Sequence, residues 1–375
     1  MRAGAFLSRH LDGERACLDA TSSAMRQAGK EGPPDLLWLV SVAHDADTTA
    51  RGLAAAARLS GAREAVAVTA AGVHASQGGE VEREPAVGAL VLYGAPELTA
   101  WNGRERRPAW DGVPLAVLMD PDGSPLQRLR LLHGVWDAAR VAGGAATGVG
   151  VEAAVLHHGT GPVDLLALQP GAPVCEVGVA QGCTAVGDTM VVTRAEGNLV
   201  MELDGRPALA RVLDQLQPDE RRDVARSLGR CMVALHADGE DAEAFRNSAF
   251  TVRRLVGVAP DVGAVAVGES PRAGEGFTLV RRDAGQADRF LSQAVRGLKQ
   301  RLEGSSPVAA LYFTCAGRGT AMFGREGAEL ATIQRVFPGV PLLGMASAFE
   351  LGPVGPGAPA VHLFTGVLMV LAQGN

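Results

Sequence analysis

A cysteine and an arginine three positions apart have the clearest potential for chemistry in this chain. Cys315 ends an apolar run, 311–314, whose two aromatic residues predict a buried strand, and Arg318 follows between two glycines. Open α/β sheets bind ligands at the carboxyl ends of their strands, so this spacing predicts a site. A nearby guanidinium can lower the pKa of a thiol, and it can also bind an anion.

Three interpretations of Cys315 stay open on the residues alone. As a nucleophile it needs a base, for which His362 on a later apolar strand is the candidate. As part of a ligand pocket it needs none, because the glycines let the backbone approach a small molecule. As a structural residue it packs like a small hydrophobic side chain. We favour the ligand site over the covalent nucleophile.

Four further residues are candidate ligand contacts. Glu350 lies in a glycine- and proline-bounded loop, 344–353, where a carboxylate can meet a ligand amine or Arg318, although a solvated loop carboxylate is commoner. His362 and Thr365 flank an apolar strand, where a histidine is more often a hydrogen-bonded structural residue. Cys183 has glycines nearby on both sides, which suggests close backbone approach, but a strand that ends in a tight turn is the favoured interpretation.

Composition limits the class of protein. The 375 residues suit two domains, and the 47% apolar content supports a large core. A net charge of -6 argues against a general nucleic-acid binder, which needs a basic face. The five cysteines are an odd, scattered set that fits a reducing compartment. Because no signal-peptide core or membrane-length apolar run is present, we expect a cytoplasmic protein without membrane insertion.

The common cofactor and metal motifs are missing. The pair Gly29–Lys30 lacks the P-loop pattern, and the glycine cluster 143–150 does not follow a strand and open a helix as a dinucleotide site requires. The adjacent His157 and His158 would point apart in a strand, so a zinc site is not expected. We therefore predict no cofactor and no metal.

The predicted elements repeat. A strand, a polar turn, a helix, a short strand, a loop and a further strand occur near each end of the chain, starting at 36 and at 307. Either an ancient duplication or the ordinary composition of α/β proteins explains this order. Between the repeats, the patterns predict helices at 129–141, 209–216 and 219–235, a flexible loop at 143–150, and a domain boundary near 204–207.

The order and spacing of several segments resemble the FIST domain family. The resemblance to the C-terminal FIST domain rests on Cys315-x-Gly317-Arg318, on 344–353 and on His362-x-x-Thr365, and the join to the N-terminal domain is similar at 181–183, 192–193, 197–198 and 202–208. The pattern is broken at Phe349, where a glycine is usual, and at Thr184 and Ala185, where arginine and proline often stand.

This resemblance implies a sensory domain of signal transduction that binds small molecules, with amino acids proposed as ligands. We therefore expect an α/β fold of two related domains with mixed sheets flanked by helices, packed as α-β-β-α layers. The expected ranges are an N-terminal helix at 1–30, an N-terminal FIST-like domain at 31–205 and a C-terminal one at 206–375. The ligand, an amino acid or other small carboxylate, would contact Cys183, Cys315, Arg318, Glu350, His362 and Thr365.

In this interpretation Arg318 holds a ligand carboxylate in a bidentate pair, and Glu350 balances its charge or binds an amine. No residue is assigned a catalytic role. The alternatives are a protein-interaction scaffold and a cysteine-dependent enzyme that uses Cys315 and His362. A protein partner in a signalling pathway, or self-association as a homo-oligomer, would carry the output.

Overall fold

The computed structural model describes most of the chain, namely residues 1–95, 98–103, 114–122, 140–172, 174–237, 249–355 and 359–374. The chain forms two compact units, and each is made of separate stretches of sequence. The first unit contains Met1–Ala180, Asp288–Val361 and Thr365–Asn375. The second contains Gln181–Ala287 and His362–Phe364.

The described strands are β1 Arg2–Ser8, β2 Leu36–Val42, β3 Glu64–Ala70, β4 Gly72–Ala75, β5 Gly79–Glu82, β6 Ala86–Tyr93, β7 Thr99–Trp101, β8 Leu115–Met119, β9 Val141–Ala145, β10 Val155–His157, β11 Gly161–Pro162, β12 Leu165–Gln169, β13 Val174–Ala180, β14 Cys183–Ala185, β15 Met190–Glu196, β16 Leu199–Leu203, β17 Arg206–Pro207, β18 Met232–His236, β19 Thr251–Ala259, β20 Ala264–Val267, β21 Gly276–Arg282, β22 Ser305–Cys315, β23 Leu342–Ser347, β24 Glu350–Pro353, β25 Pro359–His362 and β26 Gly366–Gly374. The described α-helices are α1 Gly13–Ala28, α2 Ala46–Ser60, α3 Ala208–Asp214, α4 Val224–Leu228, α5 Ala284–Arg301, α6 Gly319–Phe323 and α7 Ala328–Val336. Short 3-10 helices cover Glu220–Arg222 and Pro260–Val262.

Two six-stranded sheets of the first unit have matching strand orders. The first sheet runs β1-β6-β2-β3-β10-β11 and the second runs β13-β26-β22-β23-β4-β5. In each, a central parallel pair, β2 with β3 and β22 with β23, has an antiparallel neighbour. The repeated order noticed in the sequence is therefore present as a repeated topology, while its origin by duplication stays a prediction.

These sheets pack face to face, and helices cover their outer faces. Trp38 and Phe313 meet between the sheets with ring centroids 6.1 Å apart. Helices α1 and α2 pack on the first sheet in a cluster that includes Cys17. Helices α5 and α7 pack on the second around Leu298 and Ile333. Because both faces are covered, β2 is buried at every residue, and the predicted α-β-β-α layering is found within the first unit.

Helix boundaries in this unit follow local capping chemistry. The Asp45 carboxylate accepts a hydrogen bond of 2.6 Å from the Thr48 N–H at the start of α2. The helix ends at Gly61, whose φ of 65° is the left-handed conformation that glycine adopts readily.

The strand β1 was not predicted, because the range 1–30 was expected to hold a helix alone.

A third sheet of the first unit corrects one prediction. The glycine cluster 143–150, expected to be a flexible loop, begins within strand β9. Gly143 and Gly144 pair with Leu351 and Glu350 of β24 in the sheet β25-β24-β9-β8-β12-β7. A Cβ at 143 would collide with the carbonyl of Val117 on β8, so these glycines allow close packing.

The second unit has an antiparallel sheet that closes on itself. Strands β21-β15-β16-β20-β19-β18 follow one another, and β18 pairs back with β21. The helix predicted at 219–235 is wrong: only Glu220–Arg222 and Val224–Leu228 are helical, and β18 follows. Pairing of β18 with both neighbours outweighs the local helical pattern. Most of the helix predicted at 129–141 lies outside the described residues.

Family ranges and compact units divide the chain differently. The expected C-terminal domain, 206–375, contributes strands β22, β23 and β26 to the first unit and most of its remaining strands to the second. The hairpin β4–β5 from the N-terminal part completes the sheet of β22 and β23. The predicted domain ranges therefore describe the sequence and do not coincide with these units.

Candidate functional site

Strands β22 and β23 end side by side at the predicted site. Cys315 and Ser347 are their last residues and face each other in the parallel ladder. The Cys315 N–H donates to the Thr365 carbonyl at 3.0 Å, and the Ala316 N–H donates to the Ser347 carbonyl at 2.8 Å. Cys315, Ser347 and Thr365 are all buried. The structure thus brings two predicted residues, Cys315 and Thr365, together at the carboxyl end of the sheet.

Arg318 is buried in an ion pair with Glu329 of α7. Its Nε and Nη2 donate to Glu329 Oε1 at 3.0 and 2.6 Å, and its Nη1 donates to the Ala180 carbonyl at 3.3 Å. The hydroxyls of Tyr312 and Thr314 donate to the same carboxylate at 2.7 and 2.9 Å. The arginine therefore ties the loop after β22 to a helix of its own unit.

Gly319 allows this loop to turn sharply. Its φ of 59° is strained for other residues, and a Cβ there would collide with the Glu82 carboxylate. Glu82 Oε1 in turn accepts the Thr320 N–H at 2.8 Å, at the start of α6. The Gly-Arg-Gly sequence therefore has an internal structural use beside any contact with a ligand.

Glu350, the first residue of β24, is a fully buried carboxyl in this region. Its Oε2 accepts the Thr365 N–H at 3.2 Å, while its Oε1 has no hydrogen-bond partner among the described residues. Burial raises the pKa of Glu350 well above its usual range, against the opposing effects of the Thr365 N–H and Arg318. Burial therefore favours the protonated form of this side chain.

A second buried polar atom without a described partner lies close by. Ser347 is fully buried, and its Oγ makes no hydrogen bond within the described part of the chain. Gly144 borders both residues, because it faces Glu350 in the ladder and a Cβ there would collide with Ser347 Oγ. Buried polar groups are nearly always satisfied, so two such atoms beside one glycine mark unmet hydrogen-bonding capacity. Sequence reasoning missed Ser347.

The sequence reasoning also missed a cluster of buried titratable side chains on the hairpin β4–β5. His74 Nδ1 lies 3.3 Å from Glu80 Oε2, which accepts the Gly327 N–H at 2.7 Å. Burial alone would lower the pKa of His74, but Glu80 raises it overall. Burial likewise opposes ionisation of Glu80, yet His74 lowers its pKa to about 2. The acids at 80 and 82 share one strand face, and this spacing could have indicated a cluster from the sequence. The residues that they bind near the helices are distant in sequence.

Strand alternation separates this cluster from the thiol. His74 contacts Tyr312 edge-on, with ring centroids 6.0 Å apart, so it lies on the Tyr312 face of the sheet. Phe313 and Cys315 point to the opposite face, because side chains alternate along β22. Strand alternation thus places the two side chains on opposite faces, although both residues line one small cavity at the strand end.

Cavity size and side-chain chemistry favour different locations for a ligand site. The cavity lined by His74, Glu82 and Thr314, among others, measures about 10 Å³, the room of about one water molecule. A groove of about 670 Å³ lies at the opposite end of β22, between residues such as Leu302 and Phe337. We give more weight to the strand ends, because two of the buried polar atoms without described partners, Glu350 Oε1 and Ser347 Oγ, lie there.

Cys183 and His362 belong to the second unit. Cys183 is fully buried on β14, faces Arg282 of β21, and packs with Met232 and Phe250. His362 ends β25 and is also fully buried. Their contact with a ligand stays a prediction.

Two family models together match most of the chain. The FIST N domain matches residues 36–206 and the FIST C domain matches 208–353. The uncharacterized protein Rv0628c of Mycobacterium tuberculosis is 32% identical over 390 residues, which covers 97% of this chain and 98% of that protein. The uncharacterized protein Mb0898c of Mycobacterium bovis is 30% identical, with 97% of each chain covered.

The described residues contain no helix that is both long and apolar enough to cross a membrane. Within the same residues, histidine, cysteine, aspartate and glutamate do not gather in groups of three or more that could hold a metal ion.

Proposed function

Because the chain belongs to the FIST family, we propose that it is a small-ligand sensory module of intracellular signal transduction, whose ligand is an amino acid or another small carboxylate. FIST domains in general are described as small-ligand sensory domains in signalling. The observation that carries the proposal is a pair of buried polar atoms, Ser347 Oγ at the carboxyl end of β23 and Glu350 Oε1 at the start of β24.

The residues of the proposed site divide into two roles. Glu350 and Ser347 offer hydrogen-bonding atoms to the ligand, with Cys315 and Thr365 beside them. Arg318 acts as a positioning residue, because its contact with Glu329 fixes the loop that follows Cys315. Cys183 and His362 remain proposed contacts on the evidence of the family resemblance.

Signalling requires that the ligand favour one conformation over another. A ligand shifts such an equilibrium only by its difference in affinity for the two states. The loop 315–319 and the hairpin β4–β5 are linked by the Thr320–Glu82 hydrogen bond, so a ligand at the strand ends can alter both. We propose that a protein partner or a second copy of the chain reads this change in the cytoplasm.

We expect at least one member of a panel of the twenty amino acids and short carboxylic acids to raise the melting temperature. A ligand at one hundred times its Kd stabilises the folded state by about 2.7 kcal/mol. Differential scanning fluorimetry followed by calorimetry measures this, and Glu350→Leu should abolish it. The matched control is Glu176→Gln, which alters a carboxylate paired with Arg301 at the surface. A panel without any stabilising member would contradict the proposal.

The alternative of a cysteine-dependent enzyme makes a different prediction. All five cysteines lie among the described residues, are buried and are outside disulfides. Burial raises the pKa of Cys17 to about 12, so this thiol serves as an inert internal reference. We expect iodoacetamide at pH 7 to label Cys315 in the folded protein as slowly as Cys17, measured by peptide mass spectrometry. Rapid, selective labelling of Cys315 would favour the enzyme instead.

A further inference from the structure

We propose that Glu350 and Ser347 are hydrogen-bond donors that together bind an oxygen of a ligand carboxylate. This inference rests on the proposed function and names the group by which the ligand is recognised. The sequence predicted that Arg318 binds this carboxylate. Here two uncharged side chains bind it instead. The oxygen of Glu350 that carries the proton determines where this donor lies.

The hydrogen bond from Thr365 indicates which oxygen of Glu350 carries the proton. Glu350 Oε2 accepts the Thr365 N–H, so the acceptor side of the carboxyl is already used. In a neutral acid the proton then lies on Oε1, the buried atom without a described partner. A protonated carboxyl offers one O–H donor, and the Ser347 hydroxyl, also without a described partner, offers another that can rotate.

Gly144 lets the Ser347 hydroxyl lie against the backbone beside Glu350. It faces Glu350 across the β24–β9 ladder, and any Cβ there would collide with Ser347 Oγ. Because both residues border Gly144, their two O–H groups can be directed at one acceptor atom. A carboxylate oxygen suits this arrangement, because the bond to an ionised acceptor is about twice as strong as one between neutral groups.

The surrounding charges favour this arrangement over an ammonium ligand. The charges of Arg318 and Glu329 act on the Glu350 carboxyl but neutralise one another in their ion pair. The Cys315 thiol hydrogen-bonds to the same carboxyl. An ammonium would require Glu350 to lose its proton in a fully buried position, and burial opposes that ionisation. A carboxylate instead shares the proton that is already present.

Arg318 is less suited to hold the ligand directly. Its Nε and Nη2 donate to Glu329 Oε1, and recruiting them would leave that buried carboxylate short of its partner. Arg318 therefore serves in the site as a positioning residue.

Acetate and methylammonium are the probes that test the inference, because they carry the two opposite groups. We expect acetate to bind the full-length protein at pH 6, as measured by calorimetry, and its Kd to rise about tenfold per pH unit above the pKa of Glu350. Glu350→Gln keeps a donor, so it should retain acetate binding within about threefold and lose this pH dependence. Ser347→Ala should weaken binding about two- to twelvefold.

Controls separate recognition from folding. Ser41 is a buried serine elsewhere in the unit that bonds Thr49, so Ser41→Ala is the matched control and should leave acetate binding unchanged. Infrared spectroscopy gives a second readout: the carbonyl stretch of a protonated acid should disappear in Glu350→Gln and shift in the wild type when acetate binds. Absence of that stretch from the wild type would overturn the inference.

The outcomes also distinguish this inference from the proposed function. Methylammonium binding with proton release, lost in Glu350→Gln, would overturn the donor assignment. A panel ligand that binds while acetate does not would overturn the inference and leave sensing intact. Acetate binding with the stated pattern, but no stabilising panel member, would support the inference and contradict amino-acid or carboxylate sensing.

Discussion

Replacing Arg318 with alanine is expected to destabilise the protein by about 3–5 kcal/mol, because it leaves a buried charge without its partner. Glu329 is 3% exposed, and two of its hydrogen bonds come from this guanidinium. The Tyr312 and Thr314 hydroxyls would remain, but they bring no positive charge. Since whole domains are stable by only about 5–15 kcal/mol, the variant is expected to be close to unfolding.

Urea denaturation of three variants tests the cause of this loss. The double variant Arg318→Met with Glu329→Leu removes both charges and should recover much of the stability, since apolar replacements of buried pairs are often well tolerated. Arg301→Ala is the matched control: it breaks a pair with Glu176 in which the arginine is 48% exposed, and should cost about 0–1 kcal/mol. A loss below about 1 kcal/mol in Arg318→Ala would contradict a structural role.

The protein is expected to lose stability as pH rises above the unfolded pKa of glutamate, about 4.3, because of Glu350. Its folded pKa is raised, so between the unfolded and folded values the native state binds more protons than the unfolded chain. The free energy of unfolding then falls by about 1.4 kcal/mol per pH unit across that window. Below the unfolded pKa this contribution is fully present.

The comparison of wild type with Glu350→Gln isolates this effect. Glu82 also has a raised pKa, chiefly from burial, and gives a slope of the same sign in both proteins. Glu80 acts oppositely, since its lowered pKa makes its contribution disappear only as pH falls towards about 2. From pH 5 upward, the unfolding free energy of the wild type should therefore fall relative to that of Glu350→Gln. Parallel pH profiles would show that Glu350 ionises normally.

Much of the site could be predicted because its signals are local. The strand that ends at Cys315 and the buried ends of β2 and β23 follow from short apolar runs. The role of Glu350 depends on the Thr365 N–H and on the backbone of Gly144, which lies more than two hundred residues earlier. A single sequence carries no direct trace of such pairings, so the buried Glu350 Oε1 and Ser347 Oγ without described partners became visible only in three dimensions.

Arg318 illustrates a different limit. The sequence placed it correctly beside Cys315, but the same residue pattern serves a ligand or an internal partner equally well. The deciding acid, Glu329, stands eleven residues later on a helix whose start was predicted at 328. Burial of that acid could not be inferred from the helix pattern, because glutamate is seldom fully buried.

The hairpin β4–β5 also has a consequence for biosynthesis. A ribosome releases this hairpin long before β23, the strand against which Gly72–Ala75 must pair. Until then its pairing edge and the apolar faces it borders are without their final cover, a condition that favours aggregation or chaperone binding. If the FIST N segment is expressed alone, the hairpin stays without its partner strand. The two family segments therefore have to fold together.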